Sequence, residues 1–420
     1  MIFGVARAMD QLRIPSLRRR LFFASAIIPL LAYLLFIKLI PIFHERGHAL
    51  SAGRIFIALG VSYYTFKLMG YLIDVYWRKY PAWTEPLSFL AFVSFFPQLP
   101  AGPIQRAHEF ELPRNENETA QLMVMGLRRI LLGVVKKTLL ADQLGSMVAY
   151  IDGMQPQYSN MLWISACLFT LELYFDFAAL TDIAVGTAAM FGIKSPENFA
   201  HPFFAPSISQ FWRRWHITLT FWLTDYVFTP LRMATRNWGR LGLVFSITVN
   251  MTLIGLWHGL NIGFLIFGLV HSAYLVVDSL TASARRRYYR QHPRLDAVTN
   301  LIGPVFVFCM VAFSLVFFRA ETWPQISYQM RNLRGGLHSP VDSVQRLFYG
   351  FSRLRFGLIG LAVVAFEIYE YLESTRDKGR RWIPEFSAWP VPARWLTYYA
   401  AIALVVTLHE QSIHFIYVQF

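Results

Sequence analysis

Long apolar runs separated by short polar segments dominate the pattern of hydrophobic positions along the chain. The first run extends from Leu21 to Phe43, directly after three arginines and with no A-x-A site behind it, so we expect a retained membrane span rather than a signal peptide. Further runs cover residues 53–77, 87–105, 158–192, 241–281, 300–318, 346–370 and 392–408. A crossing takes about 20 residues, and the runs 158–192 and 241–281 are each long enough for two passes. The pattern therefore predicts roughly nine to eleven transmembrane helices.

Two stretches are apolar but interrupted by polar residues. Between residues 121 and 151 the interruptions are basic: Arg128, Arg129, Lys136 and Lys137. This pattern is typical of an in-plane or partly buried amphipathic helix. The segment from Ser207 to Arg240 is too polar for a lipid-facing span, which indicates chain packed against protein or a water-filled cavity. With no internal repeat or linker visible, we interpret residues 1–420 as a single polytopic, all-α membrane domain.

Composition and charge support the bilayer as the surrounding medium. Residues AVILMFWYC make up 55% of the chain and only 15% is charged, against about 25% in soluble domains. The net charge of +14 could suggest nucleic-acid binding, but the basic residues cluster between the apolar runs, as in cytoplasmic loops. These clusters are Arg18–Arg20, Arg78–Lys79, Arg285–Arg290 and Lys378–Arg381. We expect lipid, not nucleic acid, to contact this protein.

Two histidines lie inside the apolar run 241–281, where ionisable side chains are costly and point to function by default. His258 follows a tryptophan and is flanked by Gly255 and Gly259, which permit close approach of another backbone or a ligand. For His258, a functional and a structural role are both open. For His271, in an ordinary apolar setting, we favour a structural role.

Acidic residues also occur inside the runs, and metal binding is not indicated. Asp176 and Asp182 lie within 158–192, and we expect them to pair with Arg or Lys. The sequence contains no H-E-x-x-H motif, no paired cysteines and no histidine pair at i, i+4 in a span, so we expect no metal site. Nucleotide-binding glycine motifs and G-x-S-x-G are absent too. The function classes that remain are a channel, a transporter and an intramembrane enzyme that uses histidine.

The order of short motifs resembles the membrane-bound O-acyltransferase family. The motifs are Ser62–Phe66 with Tyr71–Tyr76, Phe95–Leu99 with Ala101–Ile104, Tyr174–Phe177 through Asp182 to Pro196–Phe199, Phe211–Ile217, Leu256–Gly259, Phe317–Ala320 and Phe415–Phe420. The match is to the bacterial branch of alginate O-acetylases and teichoic-acid D-alanyl transferases. The amino-acid sequence of Phe95–Ile104 resembles the acetylases more than the D-alanyl transferases.

This resemblance implies helices and re-entrant elements around a central tunnel in the bacterial cytoplasmic membrane. A thioester donor arrives from the cytoplasm, and the acyl group leaves towards an acceptor outside, with the help of an extracytoplasmic SGNH-type partner. His258 matches the family's central histidine, and His216 occupies the second polar position.

The chemistry suits these residues without reference to the family. Acyl transfer from a thioester to a hydroxyl needs a base, and imidazole titrates near neutral pH. The oxyanion needs hydrogen-bond donors, which Trp257, His216 or a backbone N–H could supply. Trp257 is also a candidate for binding the acyl donor. The other candidates for binding the acyl donor are Trp212, Arg213, Arg214 and Trp215. The two arginines suit the phosphates of acetyl-CoA or of a carrier protein's phosphopantetheine, with no cofactor permanently bound. Alternatively, they pair with Asp225 or Glu197.

The basic clusters also predict the topology of the C-terminal part. Arg285–Arg290 and Arg376–Arg381 are both expected in the cytoplasm, with two crossings between them. One more crossing, 392–408, then places the C-terminus outside. The aromatic hexamer at 415–420 contains one phenol, Tyr417. It is either an interfacial anchor or a covalent acyl relay whose phenol is activated by His258.

Three functions follow from the sequence. We expect an O-acyltransferase that moves an acyl group, acetyl by preference, onto a cell-envelope polysaccharide or peptidoglycan. The first alternative is D-alanyl transfer to teichoic acid from a carrier-protein thioester. The second is a transporter in which buried acids and histidines relay protons.

Overall fold

The structure is a computed structural model that describes residues 1–12, 16–45, 60–111, 116–153, 161–333, 345, 352–376, 386–408 and 415. Throughout these ranges the chain forms helices and turns and contains no strand. In chain order the helices begin with α1 (Ile2–Asp10), α2 (Leu17–Glu45), α3 (Val61–Tyr76), α4 (Pro86–Val93), α5 (Glu116–Val135) and α6 (Asp142–Gly153). A π-helical segment, Lys136–Ala141, joins α5 to α6.

The later helices carry the candidate site. They are α7 (Leu162–Met190), α8 (Ile208–Trp212), α9 (Ile217–Leu223), α10 (Thr229–Ala234), α11 (Arg240–His258), α12 (Ile262–Gln291), α13 (Pro293–Phe318), α14 (Trp323–Asn332), α15 (Arg353–Arg376) and α16 (Val391–Leu408).

Among the described residues, six helices are long and apolar enough to cross a membrane. They are Leu17–Ile40, Leu162–Met190, Arg240–His258, Ile262–Gln291, Pro293–Phe318 and Val391–Leu408. The expected class, an all-α integral membrane protein, is confirmed. The expected total of nine to eleven spans stays a prediction.

The sequence pattern predicts two passes in the run 158–192, and this is wrong. The run forms one helix of 29 residues, α7, because no Pro or Gly interrupts its first 24 residues. The run 241–281 does divide into two helices, as expected. Here Gly259 ends α11, and the Asn261 side chain caps α12 by accepting from the Phe264 N–H at 2.9 Å.

The described chain divides into two compact units. The first unit contains Met1–Ile130, Thr181–Glu197 and Phe221–Pro230, and the second contains Leu131–Leu180, Asn198–Thr220 and Leu231–Phe420. The interpretation of residues 1–420 as one domain stays a prediction.

In the first unit, Arg19 binds the ends of two helices. Its side chain is 2% exposed and donates to the carbonyls of Met9 (2.7 Å), Leu12 (3.1 Å), Val75 (2.8 Å) and Tyr76 (3.0 Å). These carbonyls lie at the C-terminal ends of α1 and α3, where helical partners are lacking. One of the three arginines expected to mark a cytoplasmic loop is therefore a buried structural residue.

The motif Phe95–Ile104, also in the first unit, has the form expected of a re-entrant element. The eight residues of α4 rise only about 12 Å, too little to cross a core about 30 Å thick. A 3₁₀ turn, Phe96–Gln98, follows it. The buried Lys67 ammonium donates to the Phe92 carbonyl at 2.8 Å and to Gln98 Oε1 at 3.0 Å, which fixes the turn against α3.

Asp176 and Asp182 of α7 pair with basic residues, as expected. Arg129 Nε lies 2.6 Å from Asp182 Oδ1 in the first unit, and Lys137 Nζ lies 2.7 Å from Asp176 Oδ1 in the second. Lys136 and Lys137 are buried, which confirms that the interrupted stretch 121–151 is a partly buried helix. The charges neutralise one another in the protein interior.

Candidate active site

The second unit presents His258 at the last position of α11. The side chain is half-buried among aromatic rings. Its ring centroid lies 4.8 Å from that of Trp257, 4.8 Å from that of Phe318 and 5.9 Å from that of Phe264. Because α11 ends here, the imidazole stands at a helix terminus rather than along a continuous span.

Two glycines allow this crowded arrangement. A Cβ on Gly255 would lie 2.2 Å from the Phe264 carbonyl oxygen, and one on Gly259 would lie 2.6 Å from the Phe264 ring. Neither distance is compatible with a real side chain. The close approach expected at Gly255 and Gly259 is confirmed, and its partner is the start of α12.

His216 stands on a strained turn in the same unit. Its φ is 42°, in the left-handed region that is uncommon for residues other than glycine. Backbone bonds hold the turn on both sides, from Ala200 N to Arg214 O (3.0 Å) and from Ile217 N to Asn198 O (2.9 Å). The side chain is 2% exposed, and burial lowers the pKa of His216 to about 3. The ring is therefore neutral at physiological pH.

Helix α8 leads into that turn, and Asp278 of α12 holds its first residues. The Asp278 carboxylate accepts from the backbone N–H of Ser209 at 3.2 Å and also from its hydroxyl. Arg285 donates to the same carboxylate. The position of His216 is thus set from α12, although neither Ser209 nor Asp278 belongs to a recognisable motif.

His271 completes a chain of hydrogen bonds across the second unit. The Trp212 indole N–H donates to His271 Nδ1 at 3.2 Å, so the proton of the neutral ring is on Nε2. Nε2 lies 2.9 Å from Ser314 Oγ, and that hydroxyl donates to the Val311 carbonyl at 2.7 Å. Both ring nitrogens of His271 are occupied, as a structural role requires.

One cavity brings the three histidines together. It is about 20 Å³ in volume, which is room for about one water molecule. Its polar lining is contributed by His216, His258, His271, Trp212 and Trp215. Phe267 and Phe318 contribute to its apolar wall. The position of His271 on this cavity and its contact with Ser314 were not predictable from the sequence. The only available signal for Ser314 was a hydroxyl in an otherwise apolar span.

The candidate donor-binding residues divide between core and surface. Trp212 is buried and bonded to His271, and the Trp215 ring stacks on that of Phe211 at 5.4 Å. The Trp257 ring lies beside both His258 and His216, with its centroid 5.7 Å from the latter. Arg213 is exposed, and Arg214 is half-buried with Nη1 3.4 Å from the His201 carbonyl.

The alternative partners of Arg213 and Arg214 are otherwise engaged. Asp225 accepts from Arg106 at 3.0 Å, and Glu197 accepts from Arg129 at 2.5 Å. The alternative in which Arg213 or Arg214 pairs with these acids stays a prediction.

Tyr417 lies outside the described residues, but Phe415 of the same hexamer is described. The Lys137 ammonium lies 4.7 Å from the centre of the Phe415 ring. Lys137 is 5% exposed and paired with Asp176. The first residue of the hexamer therefore contacts a buried ion pair of the second unit.

An apolar helical fold with a small cavity lined by three histidines defines an integral membrane protein with an internal imidazole site. The chain belongs to the MBOAT, membrane-bound O-acyltransferase family. The family model matches residues 84–319, more than half of the chain. The resemblance expected from the motifs is confirmed.

Curated relatives are named for activities on different cell-envelope polymers. The chain is 34% identical over 283 residues to the probable alginate O-acetylase AlgI of Pseudomonas aeruginosa, covering 66% of this chain and 51% of the relative. It is 30% identical over 299 residues to the peptidoglycan O-acetyltransferase of Helicobacter pylori, covering 64% and 55%. It is 29% identical over 322 residues to the teichoic acid D-alanyltransferase of Bacillus subtilis, covering 71% and 78%. The chain thus spans about half the length of the alginate relative.

Proposed function

We propose that this protein is an O-acyltransferase that moves an acetyl group from a cytoplasmic thioester donor towards a cell-envelope polysaccharide or peptidoglycan. Family membership and the printed activities of the relatives support the reaction class. The observation that carries the proposal is the placement of His258, beside Trp257 and on the same cavity as His216.

His258 is the general base in this proposal. The attacking oxygen forms a bond to the thioester carbon, the carbon–sulfur bond breaks, and His258 passes the proton from the attacking hydroxyl to the leaving thiolate. A neutral His216 has one N–H donor, and Trp257 supplies another, so both suit the developing oxyanion. A water-poor aromatic cavity strengthens such contacts.

The donor is a thioester of coenzyme A or of a carrier protein. The exposed Arg213 is suited to its phosphates, and Arg214 beside it is half-buried. Trp212, Trp215 and Trp257 line the route in this proposal. Arg232, Arg236 and Arg240 extend the basic surface around the start of α11, and Arg236 and Arg240 are exposed.

Tyr417 is the acyl relay in this proposal. Its phenol attacks the thioester carbon, His258 accepts the phenolic proton, and the tyrosyl ester then passes the group to an extracytoplasmic SGNH-type partner. The contact of Phe415 with the buried Lys137 supports this over an interfacial anchor, because it places the first residue of the hexamer beside a buried side chain of the second unit. The protein then lies in the bacterial cytoplasmic membrane with its C-terminus outside.

Replacement of one hydroxyl tests the relay. Tyr417→Phe keeps the ring, so an anchor should tolerate it, whereas a relay should lose polymer acylation. Phe420→Leu, at the end of the same hexamer, serves as the control and should retain acylation. Parent-level acylation in Tyr417→Phe would eliminate the relay.

D-alanyl transfer is the second candidate. The match to the Bacillus subtilis D-alanyltransferase covers more of both chains than the match to the alginate relative does. A proton-relay transporter gains no such support, because the relatives reported above are named for acyl transfer.

The decisive experiment measures acyl groups on envelope polymers in a strain that lacks this protein. We expect acetyl esters to disappear, and to return with the parent protein but not with His258→Gln. Loss of D-alanyl esters instead would establish the second candidate. Normal acylation in the deletion strain would contradict both.

A further inference from the structure

A second, larger cavity lies entirely within the first unit, at the C-terminal end of α3. Its volume is about 510 Å³, and its walls include Tyr71, Tyr80, Trp83 and His108, with Asp74 at the α3 side. None of these residues contributes to the histidine cavity. The cavity is therefore a separate site.

Asp74 provides a buried negative group in this cavity. The residue is 3% exposed, and its Oδ1 has no hydrogen bond of ordinary length within the described part of the chain, with the Tyr226 hydroxyl as the neighbouring donor to the carboxyl group. The ammonium of Lys79 stays 4.0 Å from Oδ1, and its side chain is 46% exposed. A buried carboxylate oxygen without a short hydrogen bond is costly, so a ligand that supplies an N–H would gain affinity.

Aromatic rings beside Asp74 suit a cation. The rings of Tyr80 and His108 stack with centroids 4.0 Å apart, and Trp83 and Tyr71 also line the cavity. Tyrosine and tryptophan faces attract ammonium groups.

The wall of the cavity is held in place before any ligand binds. The backbone N–H of Ala82 donates to Asp10 at 3.1 Å, and that of Trp83 donates to the Tyr71 hydroxyl at 3.1 Å. Arg7 donates to the Thr84 carbonyl at 3.2 Å. A wall fixed in this way lowers the entropic cost of binding.

Apolar side chains next to the cavity indicate a lipid rather than a soluble amine. Glu85 and Ser88, at the start of α4, line the cavity, while Leu87 and Leu90 of the same helix are 80% and 59% exposed. A headgroup in the cavity would therefore place its acyl chains along α4.

We propose that this cavity binds the primary ammonium headgroup of an aminophospholipid such as phosphatidylethanolamine, with the ammonium donating to Asp74. Tyr80 and Trp83 face the cation, and Lys79 is left to face the lipid phosphate. A quaternary ammonium has no N–H for Oδ1, and phosphatidylglycerol has no cation. This inference is independent of the proposed acyl transfer.

The test is native mass spectrometry of the full chain in detergent, titrated with phosphatidylethanolamine, phosphatidylcholine or phosphatidylglycerol of matched acyl chains. The parent protein should bind phosphatidylethanolamine about tenfold more tightly than the other two, as expected for one charge-assisted hydrogen bond. Asp74→Asn should remove this preference. Asp296→Asn, which changes a carboxylate of α13 in the second unit, should keep it.

Two outcomes would overturn the proposal. Equal affinity of the parent protein for all three lipids would do so even if Asp74→Asn fails to fold. Displacement of the bound lipid by equimolar free phosphoethanolamine would show that the site takes a soluble amine instead. Persistence of the lipid against that competitor supports the assignment.

Discussion

His258 and His271 line the same cavity, and replacing each by Gln separates a base from a structural histidine. Gln retains hydrogen-bonding capacity but cannot take up a proton near neutral pH. His258 ends α11, whereas His271 receives a hydrogen bond from Trp212 and contacts Ser314. We expect His258→Gln to affect the chemistry and His271→Gln to affect the fold.

The two substitutions should change different quantities: His258→Gln the reaction rate, and His271→Gln the free energy of unfolding. Loss of a general base lowers the rate about 10²- to 10⁴-fold. If the amide introduced by His271→Gln satisfies only one of the two partners, a buried polar group is left without its hydrogen bond, which costs about 1–3 kcal/mol of unfolding free energy. The His271 variant should therefore have a Tm lower by a few degrees, with its rate per folded protein within about tenfold of the parent.

Thiol release from acetyl-CoA and thermal unfolding of the same detergent-purified samples provide the two readouts. Ser314→Ala is the matched control, because it removes the partner of His271 Nε2 without changing a histidine. It should reproduce the lowered Tm and retain the rate. Equal rate losses in the two Gln variants, with unchanged Tm in both, would refute this reasoning.

Three further predictions follow from the site and its packing. Gly255→Ala would bring a Cβ within 2.2 Å of the Phe264 carbonyl oxygen and should destabilise the protein by about 1–3 kcal/mol. Gly360→Ala is the control, because a Cβ there has nothing within 4 Å and should leave stability unchanged. Thermal unfolding distinguishes the two variants. Burial lowers the pKa of His216 to about 3 in the folded protein. Between about pH 6.5 and pH 3 the unfolded chain therefore binds a proton on this imidazole and the folded protein does not. Unfolding free energy should therefore fall as pH drops from 6.5 towards 3, and His216→Phe should reduce the slope measured by chemical denaturation. Arg236 and Arg240 are exposed, so rising ionic strength should weaken apparent donor affinity, and a KM that does not respond to salt would contradict a role in attracting the donor.

Local features of the sequence determined the membrane class and several elements of the fold. Apolar runs of about 20 residues have few stable alternatives to a helix in lipid, because the backbone must satisfy its own hydrogen bonds. The length of the run 241–281 predicted two helices, and the structure places the break at Gly259 and Asn261. The pairing of Asp176 and Asp182 with basic residues followed from the cost of burying a lone charge.

Only the tertiary structure decided which distant residues meet. Arg19 belongs to a cluster typical of a loop, yet its burial depends on carbonyls of Val75 and Tyr76, more than fifty residues away. The sequence favours a structural role for His271, but its place on the cavity of His258 depends on Trp212 and Ser314, on other helices. Hydrophobic periodicity specifies which face of a helix is buried and not which helix covers it, since that choice depends on packing between segments far apart in the chain.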